Sequence, residues 1–376
     1  MELYINKNQK SLRCGYTTGT CAAAAAKAAA HLFFSKTAPA VVKLKTPAGV
    51  ELELDVLEPL LGDGFASCAV RKDSGDDPDV TDGVLVSAKV SRSKGDKVTV
   101  DGGEGVGRVT RPGLSCPVGS AAVNPVPRAM IEEAVAEVCR EYGETCGMDA
   151  VISIPGGAAL AKKTYNPRLG IEGGLSILGT SGIVEPMSER ALLDSIELEL
   201  KMAASEGRRY VLVSPGNYGG DFSREILGLN TEKSVKCSNY IGETVDFAAQ
   251  FGFRGLLLVG HAGKLVKLAA GVMNTHSRVA DCRMETLAAH AALLGADPQT
   301  IRSIMDCITV DEAFGILEKA GLLRVAMDSV MEKIGVHLRL RAKEMETAAV
   351  MFSNQYGILG KTGDTEKLMA YCREGN

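Results

Sequence analysis

The sequence predicts a protein of two domains: a mainly antiparallel α+β domain, then a parallel-sheet α/β domain with a helical C-terminal region. Three observations lead to this prediction. The length of 376 residues exceeds what a single core usually organises. Short alternating strands fill the first third of the chain. After them, wholly apolar strands alternate with amphipathic helices, which is typical of a parallel sheet. The predicted domains are residues 1–145 and 146–376.

The first domain is predicted to open with a helix of small residues from Thr20 to Phe34. Runs of alternating apolar and polar residues follow, separated by turns such as Lys94-Gly95-Asp96. The strands predicted from them are 40–46, 50–57, 65–71, 84–91 and 97–100. Their regular spacing and short turns favour an antiparallel sheet. A second helix, beginning near Pro127, completes the domain.

The second domain is predicted from three short apolar runs at 150–154, 210–213 and 256–259. Each run is followed at once by glycine, in Pro155-Gly156-Gly157, Pro215-Gly216-Asn217 and Gly260-His261-Ala262-Gly263. Ligands of parallel sheets bind where the strands end, at their carboxyl edge. We therefore expect all three glycine loops to lie at a ligand-binding edge, with a helical region following from about residue 283.

Composition narrows the class of partner and the compartment. A formal net charge of −4 makes no case for nucleic acid. We expect no signal peptide, because MELYINKNQK lacks an apolar core, and no membrane span, because no apolar run reaches about 18 residues. Ten cysteines without a Cys-x-x-Cys pair indicate reduced thiols rather than a zinc site. We expect a cytoplasmic protein with no nucleic-acid, membrane or metal partner. The sequence leaves the oligomeric state open, a homo-oligomer included.

The segment GYTTGTCAAAAAKAAA begins at Gly15 and carries three threonines, Thr17, Thr18 and Thr20, just ahead of an alanine helix. Free amides and hydroxyls at the positive end of a helix dipole form a ready anion site. The alternative is a capped helix that packs closely through its alanines. The residues by themselves leave both interpretations open.

Two further glycine loops are candidates for ligand binding. GNYGGDF, from Gly216, follows a buried strand, and Asp221 could accept hydrogen bonds from hydroxyl groups of a nucleoside. GHAGKLVKLAAG, from Gly260, is too short for a phosphate-binding P-loop, and Leu265 stands where that motif needs Ser or Thr. What remains is a glycine turn that opens a helix, with His261 and Lys264 at its mouth.

The segment from Leu160 to Ser188, LAKKTYNPRLGIEGGLSILGTSGIVEPMS, is long, rich in glycine and weakly periodic. Such a loop inside a compact domain is uncommon unless it is functional. Lys162, Lys163 and Arg168 supply positive charge. The alternative is a structured connection with surface cations. A second loop, DDPDVTDG from Asp76, is interpreted as a solvated loop because it lacks the terminal Glu of a calcium-binding EF-hand.

Taken together, six segments resemble the cobalt-precorrin-5B C1-methyltransferase family, in the family's order and over roughly residues 11 to 290. They are GYTTGTCAAAAAKAA, DDPDVT, NPVPRAMI, KTYNPRLGIEGGLSILGTSGIVEPMS, GNYG and GHAGKLVKLAAGVMNTHS. The resemblance implies transfer of a methyl group from S-adenosylmethionine to C-1 of a cobalt-containing, ring-contracted tetrapyrrole, giving cobalt-precorrin-6A. Cobalt then arrives with the substrate, so the resemblance implies no metal site in the protein.

The residues suggest which parts of the protein would bind the methyl donor and move a proton in such a reaction. S-adenosylmethionine is predicted to bind at the carboxyl edge of the parallel sheet through Gly216, Asn217, Asp221 and Gly260. His261 is predicted to take or relay the proton lost at the macrocycle. Because the methyl group already sits on a sulfonium, alignment and exclusion of water matter more than acid–base apparatus.

The tetrapyrrole carries many carboxylates, which helix N-termini and scattered cations can bind. The predicted substrate-binding residues are Thr17, Thr18, Thr20, Arg168 and Lys264. Two other functions remain alternatives. A small-molecule kinase would use a glycine loop for phosphate, and a non-catalytic corrinoid-binding protein would hold the macrocycle without turnover.

Overall fold

The structure is a computed structural model that describes residues 3–7, 9–145 and 147–374, without the side chains of Asn217 and Glu374. Cys146 therefore lies outside the described residues. The chain forms two compact units, Met1–Glu189 and Arg190–Asn376. The predicted boundary near residue 145 falls earlier in the chain than this division.

In its described residues, the first unit contains many short strands and three helices. Its strands are β1 (Tyr4–Lys7), β2 (Lys10–Arg13), β3 (Gly15–Tyr16), β4 (Val41–Lys45), β5 (Glu51–Asp55), β6 (Leu57–Gly62), β7 (Phe65–Arg71), β8 (Leu85–Arg92), β9 (Thr99–Gly102), β10 (Arg108–Val109), β11 (Met148–Ser153), β12 (Ile171–Glu172) and β13 (Ile183–Val184), and its helices are α1 (Thr18–Ser35), α2 (Pro125–Glu141) and α3 (Gly157–Ala161).

Helix α1 lies at the centre of the first unit. Every residue from Thr18 to Ala30 is buried, because alanine side chains let α2 and the strands β7 and β8 approach the helix closely. The charge of the buried Lys27 is met by Glu137 of α2, with 2.8 Å between Nζ and Oε2. The predicted capped helix that packs through alanines is therefore what the first motif forms.

The main sheet of the first unit has the order β6-β7-β8-β11-β9, and only the β11–β9 pair is parallel. Strand β11 contains the apolar run that the sequence assigned to the parallel sheet of the second domain. That assignment is wrong. Side chains of β11 alternate between buried and half-buried, as expected for a strand with one covered face, and it pairs antiparallel with β8. The loop Pro155–Gly157 therefore belongs to the first unit.

The second unit is an α/β structure. It begins with α4 (Glu189–Ser205) and continues through β14 (Tyr210–Ser214), α5 (Asn217–Glu225), β15 (Val235–Lys236), α6 (Ile241–Gln250), β16 (Gly255–His261), α7 (Ala262–Ala269), α8 (Arg283–Leu293), α9 (Pro298–Met305), α10 (Val310–Lys319), α11 (Leu323–Ala342), β17 (Glu346–Ser353), β18 (Gly357–Thr362) and α12 (Thr365–Glu374).

Its sheet has the order β15-β14-β16-β17-β18, parallel except for the edge strand β18. The two faces of the sheet carry different helices. Val211, Val213 and Leu258 pack into a core shared with α4, α6, α7 and α11, whereas Leu212 and Val259 pack into a core shared with α5 and α12. The predicted fold class is confirmed: a mainly antiparallel α+β part, a parallel-sheet α/β part and a helical C-terminal region.

Among the described residues, the helices are too short or too polar to cross a membrane.

Candidate functional site

The carboxyl edge of the second unit's sheet contains a topological switch point. From β14 the chain runs through α5 on one face of the sheet to β15. It then returns through α6 on the other face to β16, on the opposite side of β14. The helices that follow β14 and β16, α5 and α7, therefore leave toward opposite faces. Open α/β sheets bind their ligands in the crevice that such a divergence creates. We call this place, formed by Ser214–Gly216, His261 and the first turns of α5 and α7, the β14–β16 crevice.

Gly216 forms one wall of the crevice. Its φ of 111° and ψ of −178° belong to a region that only glycine adopts readily. It is the N-cap of α5, and no side chain caps that helix among the described residues. A Cβ built on Gly216 would lie 4.0 Å from Lys264 Nζ. The backbone that opens α5 is thus next to the ammonium group that the sequence placed at the mouth of the other glycine loop.

Lys264 is half-buried in the first turn of α7. Its Nζ donates to the Ser238 carbonyl oxygen at 3.1 Å, and within the described part of the chain it has no carboxylate partner. Burial lowers the pKa of Lys264, and the positive charge of Lys267 lowers it further. An ammonium that is partly removed from water and unpaired attracts an anion. This arrangement supports the prediction that Lys264 binds a negatively charged group.

Ser214 also belongs to the crevice, and the sequence analysis missed it. It ends β14, it is fully buried, and its Oγ has no hydrogen-bond partner among the described residues. Its Cβ lies below the first turn of α5, because a Cβ placed on Gly219 would approach it to 2.9 Å. A polar residue that closes the otherwise apolar run of β14 is a signal that the sequence did contain. Buried hydroxyls normally have a partner, so this one points to a group that the protein alone does not supply.

His261 ends β16 and caps α7. Its Nδ1 accepts a hydrogen bond from the Gly263 amide at 3.1 Å, and its ring meets the Phe352 ring edge to face with 5.6 Å between centroids. Burial lowers its pKa below the usual 6.5, which Asp311 partly offsets, and this shift favours the neutral ring. With Nδ1 accepting, that bonding assigns the proton of the neutral ring to Nε2. The geometry therefore makes His261 a hydrogen-bond donor at Nε2, and a proton taken at Nδ1 would break the cap.

The other three predicted cofactor residues have different surroundings. Gly260 is buried inside β16, where a Cβ would overlap the Leu265 side chain and lie 2.9 Å from Pro215 Cγ, so its role in the structure is close packing. Asp221 is exposed on α5 and pairs with Arg224 at 3.0 Å. The side chain of Asn217 lies outside what the structure describes.

The predicted substrate residues Thr17, Thr18 and Thr20 are buried and bonded within the first unit. Thr17 Oγ1 accepts from the Thr20 amide at 3.2 Å, Thr18 Oγ1 receives the Leu178 amide at 3.0 Å, and Thr20 Oγ1 donates to the Gly182 carbonyl at 2.7 Å. These hydroxyls hold the loop 178–182 against the start of α1. They are already occupied, which favours a structural role for them over the anion site.

Arg168 lies in the first unit, on the segment between α3 and β12. It is exposed, as are Lys162 and Lys163, and in the described ranges none of the three side chains has a hydrogen bond or an ion pair. Three exposed cations without partners, close together in sequence, suit an acidic ligand. The prediction for Arg168 remains a prediction.

Lys267 is a second residue that sequence reasoning missed. It is 3% exposed, and its Nζ donates to the carbonyl oxygens of Thr275 and Ala280 at 3.2 Å and 2.9 Å. Asp281 lies 4.0 Å away and is held by a bidentate contact with Arg283. These hydrogen bonds therefore hold the segment after α7, which contains His276, against that helix. A lysine inside the apolar pattern LVKLAA is the signal that could have indicated this interaction.

The fold and the crevice define a class: an α/β protein with a candidate small-molecule site at the switch point of a parallel sheet. The comparisons with known proteins then give the family. The family model described as CbiD matches residues 5–186, and the one described as CbiD, C-terminal domain, matches residues 274–363. This chain belongs to the CbiD family.

The relatives agree on one name. A protein of Ruminiclostridium cellulolyticum named cobalt-precorrin-5B C(1)-methyltransferase is 51% identical, over 94% of this chain and 92% of its own length. A protein of the same name from Thermoanaerobacter sp. is 46% identical, over 97% of this chain and 99% of its own. A crystal structure of the cobalamin biosynthesis protein cbiD from Archaeoglobus fulgidus is 31% identical and covers 74% of this chain and 86% of that one, with a TM-score of 0.41.

Proposed function

We propose that this protein transfers the methyl group of S-adenosylmethionine to C-1 of cobalt-precorrin-5B, giving cobalt-precorrin-6A in the anaerobic route to adenosylcobalamin. The observation that carries this proposal is the 51% identity, over nearly the full length of both chains, to a relative named for this reaction. The alternatives, a small-molecule kinase and a non-catalytic corrinoid-binding protein, lack such support.

The chemistry asks little of acid–base groups. The carbon–sulfur bond of the sulfonium breaks with its electron pair going to sulfur, and an electron pair of the macrocycle forms the new carbon–carbon bond. The donor leaves as a neutral thioether. What the protein contributes is alignment of sulfur, methyl group and carbon, and exclusion of water. We propose the β14–β16 crevice as the place where the donor is held, with Gly216 letting it approach the backbone of α5.

The macrocycle's carboxylates need cations. We propose that Arg168, with its exposed neighbours Lys162 and Lys163, binds some of them. Thr17, Thr18 and Thr20 then act indirectly, because their hydroxyls position the loop 178–182 of the same unit. Cobalt belongs to the substrate in this proposal.

We also propose a cytoplasmic location. At least eight cysteines of the described residues are free thiols, most of them buried, and burial raises the pKa of Cys21 and Cys237 to about 12. Free, protonated thiols in this number suit a reducing compartment.

Turnover tests the proposed reaction directly. Purified protein is incubated anaerobically with cobalt-precorrin-5B and S-adenosylmethionine carrying an isotopically labelled methyl group, and the macrocycle is analysed by mass spectrometry. We expect one labelled methyl group in the macrocycle and an equal amount of S-adenosylhomocysteine. Binding of the macrocycle without label transfer would favour the corrinoid-binding alternative. Thermal stabilisation by ATP with magnesium, but not by S-adenosylhomocysteine, would favour the kinase.

Two substitutions separate the possible roles of His261. Asn in His261→Asn can still cap α7 but cannot titrate, whereas His261→Ala loses both functions. If His261 relays a proton, both variants lose about 10²- to 10⁴-fold in rate. If it caps the helix, we expect His261→Asn to keep nearly the full rate and an unchanged pH profile, and His261→Ala to lose about 1 kcal/mol of stability. Single-turnover rates and urea unfolding measure the two quantities. The occupied Nδ1 leads us to expect the second result.

Asp221 has a matched control on the same helix. Asp221 and Glu225 are both exposed, and both pair with Arg224, at 3.0 Å and 3.3 Å. If Asp221 accepts hydrogen bonds from the donor's ribose hydroxyls, Asp221→Ala should weaken S-adenosylhomocysteine binding about tenfold in titration calorimetry. Glu225→Ala should leave it unchanged, because it removes only the shared ion pair. Equal affinities for the two variants would remove Asp221 from the site.

A further inference from the structure

The start of α5, Ser214 and Lys264 converge on one place in the β14–β16 crevice. Helix α5 has nine residues and begins at Asn217, and the described residues provide no partner for the amides of Tyr218 and Gly219. Amides at a helix N-terminus bind anions through their hydrogens and the helix dipole. Two further groups, the Ser214 hydroxyl and the Lys264 ammonium, lie beside this helix start.

The first is the Ser214 hydroxyl, which is fully buried below the first turn of α5 and unsatisfied among the described residues. Two hydrogen bonds hold the backbone of this residue, because the Ser214 carbonyl accepts from the amides of Gly216 and Cys237 at 3.1 Å and 3.0 Å. A Cβ placed on Gly219 would lie 2.9 Å from Ser214 Cβ, so the first turn of α5 covers the serine closely. An unsatisfied buried hydroxyl costs about 1–3 kcal/mol, so a group that accepts from it stabilises the site.

The second is Lys264, which reaches the crevice from the opposite face of the sheet. Only one of its three donors has a described partner, the Ser238 carbonyl. Ser238 is itself held in the left-handed region with a φ of 51°, a conformation uncommon for residues other than glycine. The neutral carbonyl orients the ammonium without neutralising it, which leaves the charge for a ligand.

We infer that the α5 N-terminus, the Ser214 hydroxyl and the Lys264 ammonium form one carboxylate-binding site in the β14–β16 crevice. A carboxylate has two oxygens, which suits one oxygen for the helix amides and Ser214 and the other for Lys264. The inference deepens the proposed function and rests on it for the ligands. The donor's amino-acid carboxylate and a side-chain carboxylate of the macrocycle share this chemistry.

Gly216 explains how the three groups can meet. A side chain there would stand 4.0 Å from Lys264 Nζ and would occupy the space between the ammonium and the helix start. The glycine thus allows both the conformation that opens α5 and the approach of a ligand to it. The sequence predicts Gly216 as a cofactor residue and Lys264 as a substrate residue, whereas the inference places both residues in one site.

Titration calorimetry with four proteins tests the inference: wild type, Lys264→Met, Ser214→Ala and, as control, Lys233→Met. Lys233 is an exposed lysine just before β15, at the amino edge of the same sheet. The ligands are S-adenosylhomocysteine, its analogue without the carboxylate, and the cobalt-precorrin substrate. Thermal unfolding confirms that each variant is folded. Lys264→Arg, which keeps the charge, replaces Lys264→Met if the latter unfolds, and it should then retain most of the affinity.

If the carboxylate in the site is that of the donor, wild type binds the analogue without the carboxylate about ten- to hundredfold more weakly than it binds S-adenosylhomocysteine. Lys264→Met then weakens S-adenosylhomocysteine binding by a similar factor. The analogue without the carboxylate then binds Lys264→Met and wild type equally, because the interaction is already lost. If the carboxylate comes from the macrocycle, Lys264→Met and Ser214→Ala weaken binding of the precorrin instead, by about tenfold or more.

The inference is overturned if Lys264→Met and Ser214→Ala bind both natural ligands as wild type does. It is also overturned if Lys264→Met weakens S-adenosylhomocysteine and its decarboxylated analogue equally while precorrin binding is unchanged. Either result leaves the methyl-transfer proposal intact, because label transfer to the macrocycle measures that proposal separately.

Discussion

Gly15→Ala is expected to lower the free energy of unfolding of the first unit by about 3 kcal/mol or more. A Cβ on Gly15 would lie 2.6 Å from Ser74 Cα and closer still to the Asp73 carbonyl oxygen. These are backbone atoms, so no side-chain rotation relieves the overlap. Moving them would also disturb the hydrogen bond from the Tyr16 amide to Asp73, 2.8 Å long, and the ion pair between Arg13 and Asp73.

Gly95→Ala is the control for this prediction. It lies in the same unit, its φ is not in the left-handed region, and an added Cβ would meet only Ser93 Oγ, at 3.6 Å. We expect it to change stability by less than about 0.5 kcal/mol. Urea unfolding, followed by circular dichroism, measures both variants. A Gly15→Ala protein as stable as Gly95→Ala would show that the first motif is not needed for close packing.

Gly216→Val is expected to weaken S-adenosylhomocysteine binding at least about a hundredfold and to reduce methyl transfer accordingly. Two effects combine. A residue with a side chain is strained by about 1–3 kcal/mol at a φ of 111° and a ψ of −178°. The side chain would also project into the crevice beside Lys264, where we place the donor.

Gly220→Ala tests whether this effect is local. Gly220 lies one turn further along α5, without a positive φ and with open space around an added Cβ. In the helix interior, alanine should stabilise by up to about 1 kcal/mol, and donor affinity should not change. Calorimetry and label transfer check both variants. If Gly216→Val bound the donor normally, the donor site would have to lie outside the β14–β16 crevice.

Much of the fold follows from periodicity and turn residues. The strand at 65–71 has the predicted bounds, and strand β4 differs from the predicted 40–46 by one residue at each end. Such segments are long or strongly patterned, so local signals dominate. The apolar run at 150–154 was assigned to the wrong sheet, because a short apolar strand has the same sequence pattern in a parallel sheet and at the centre of an antiparallel one. The pairing with β8, whose register partners lie 56 to 66 residues earlier, decides between them, and no local pattern shows this pairing.

The site could be predicted only in pieces. Gly216 and Lys264 were recognised separately, from two glycine loops. Their proximity depends on strand order, which places β16 beside β14 although α5, β15 and α6 lie between them in sequence. Glycines present a second difficulty. Gly260 and Gly216 look equivalent in the sequence, yet Gly260 lies where Leu265 fills the space and Gly216 borders the crevice. The sequence shows where a glycine stands, but it does not show whether protein atoms or a ligand fill the space beside it.

The pairing of β3 with β13 has a consequence for biosynthesis. Tyr16 and Ile183 are register partners, and the threonine hydroxyls at the start of α1 bond to the loop 178–182. Helix α1 therefore obtains its complete surroundings only after the ribosome has made nearly half the chain. At 5–20 residues per second, the helix waits roughly 10–30 seconds for these partners. During that interval its alanine surface, with few large apolar groups, offers little for other chains to adhere to. The small side chains that allow tight packing in the finished unit therefore also limit the apolar surface that the nascent segment exposes.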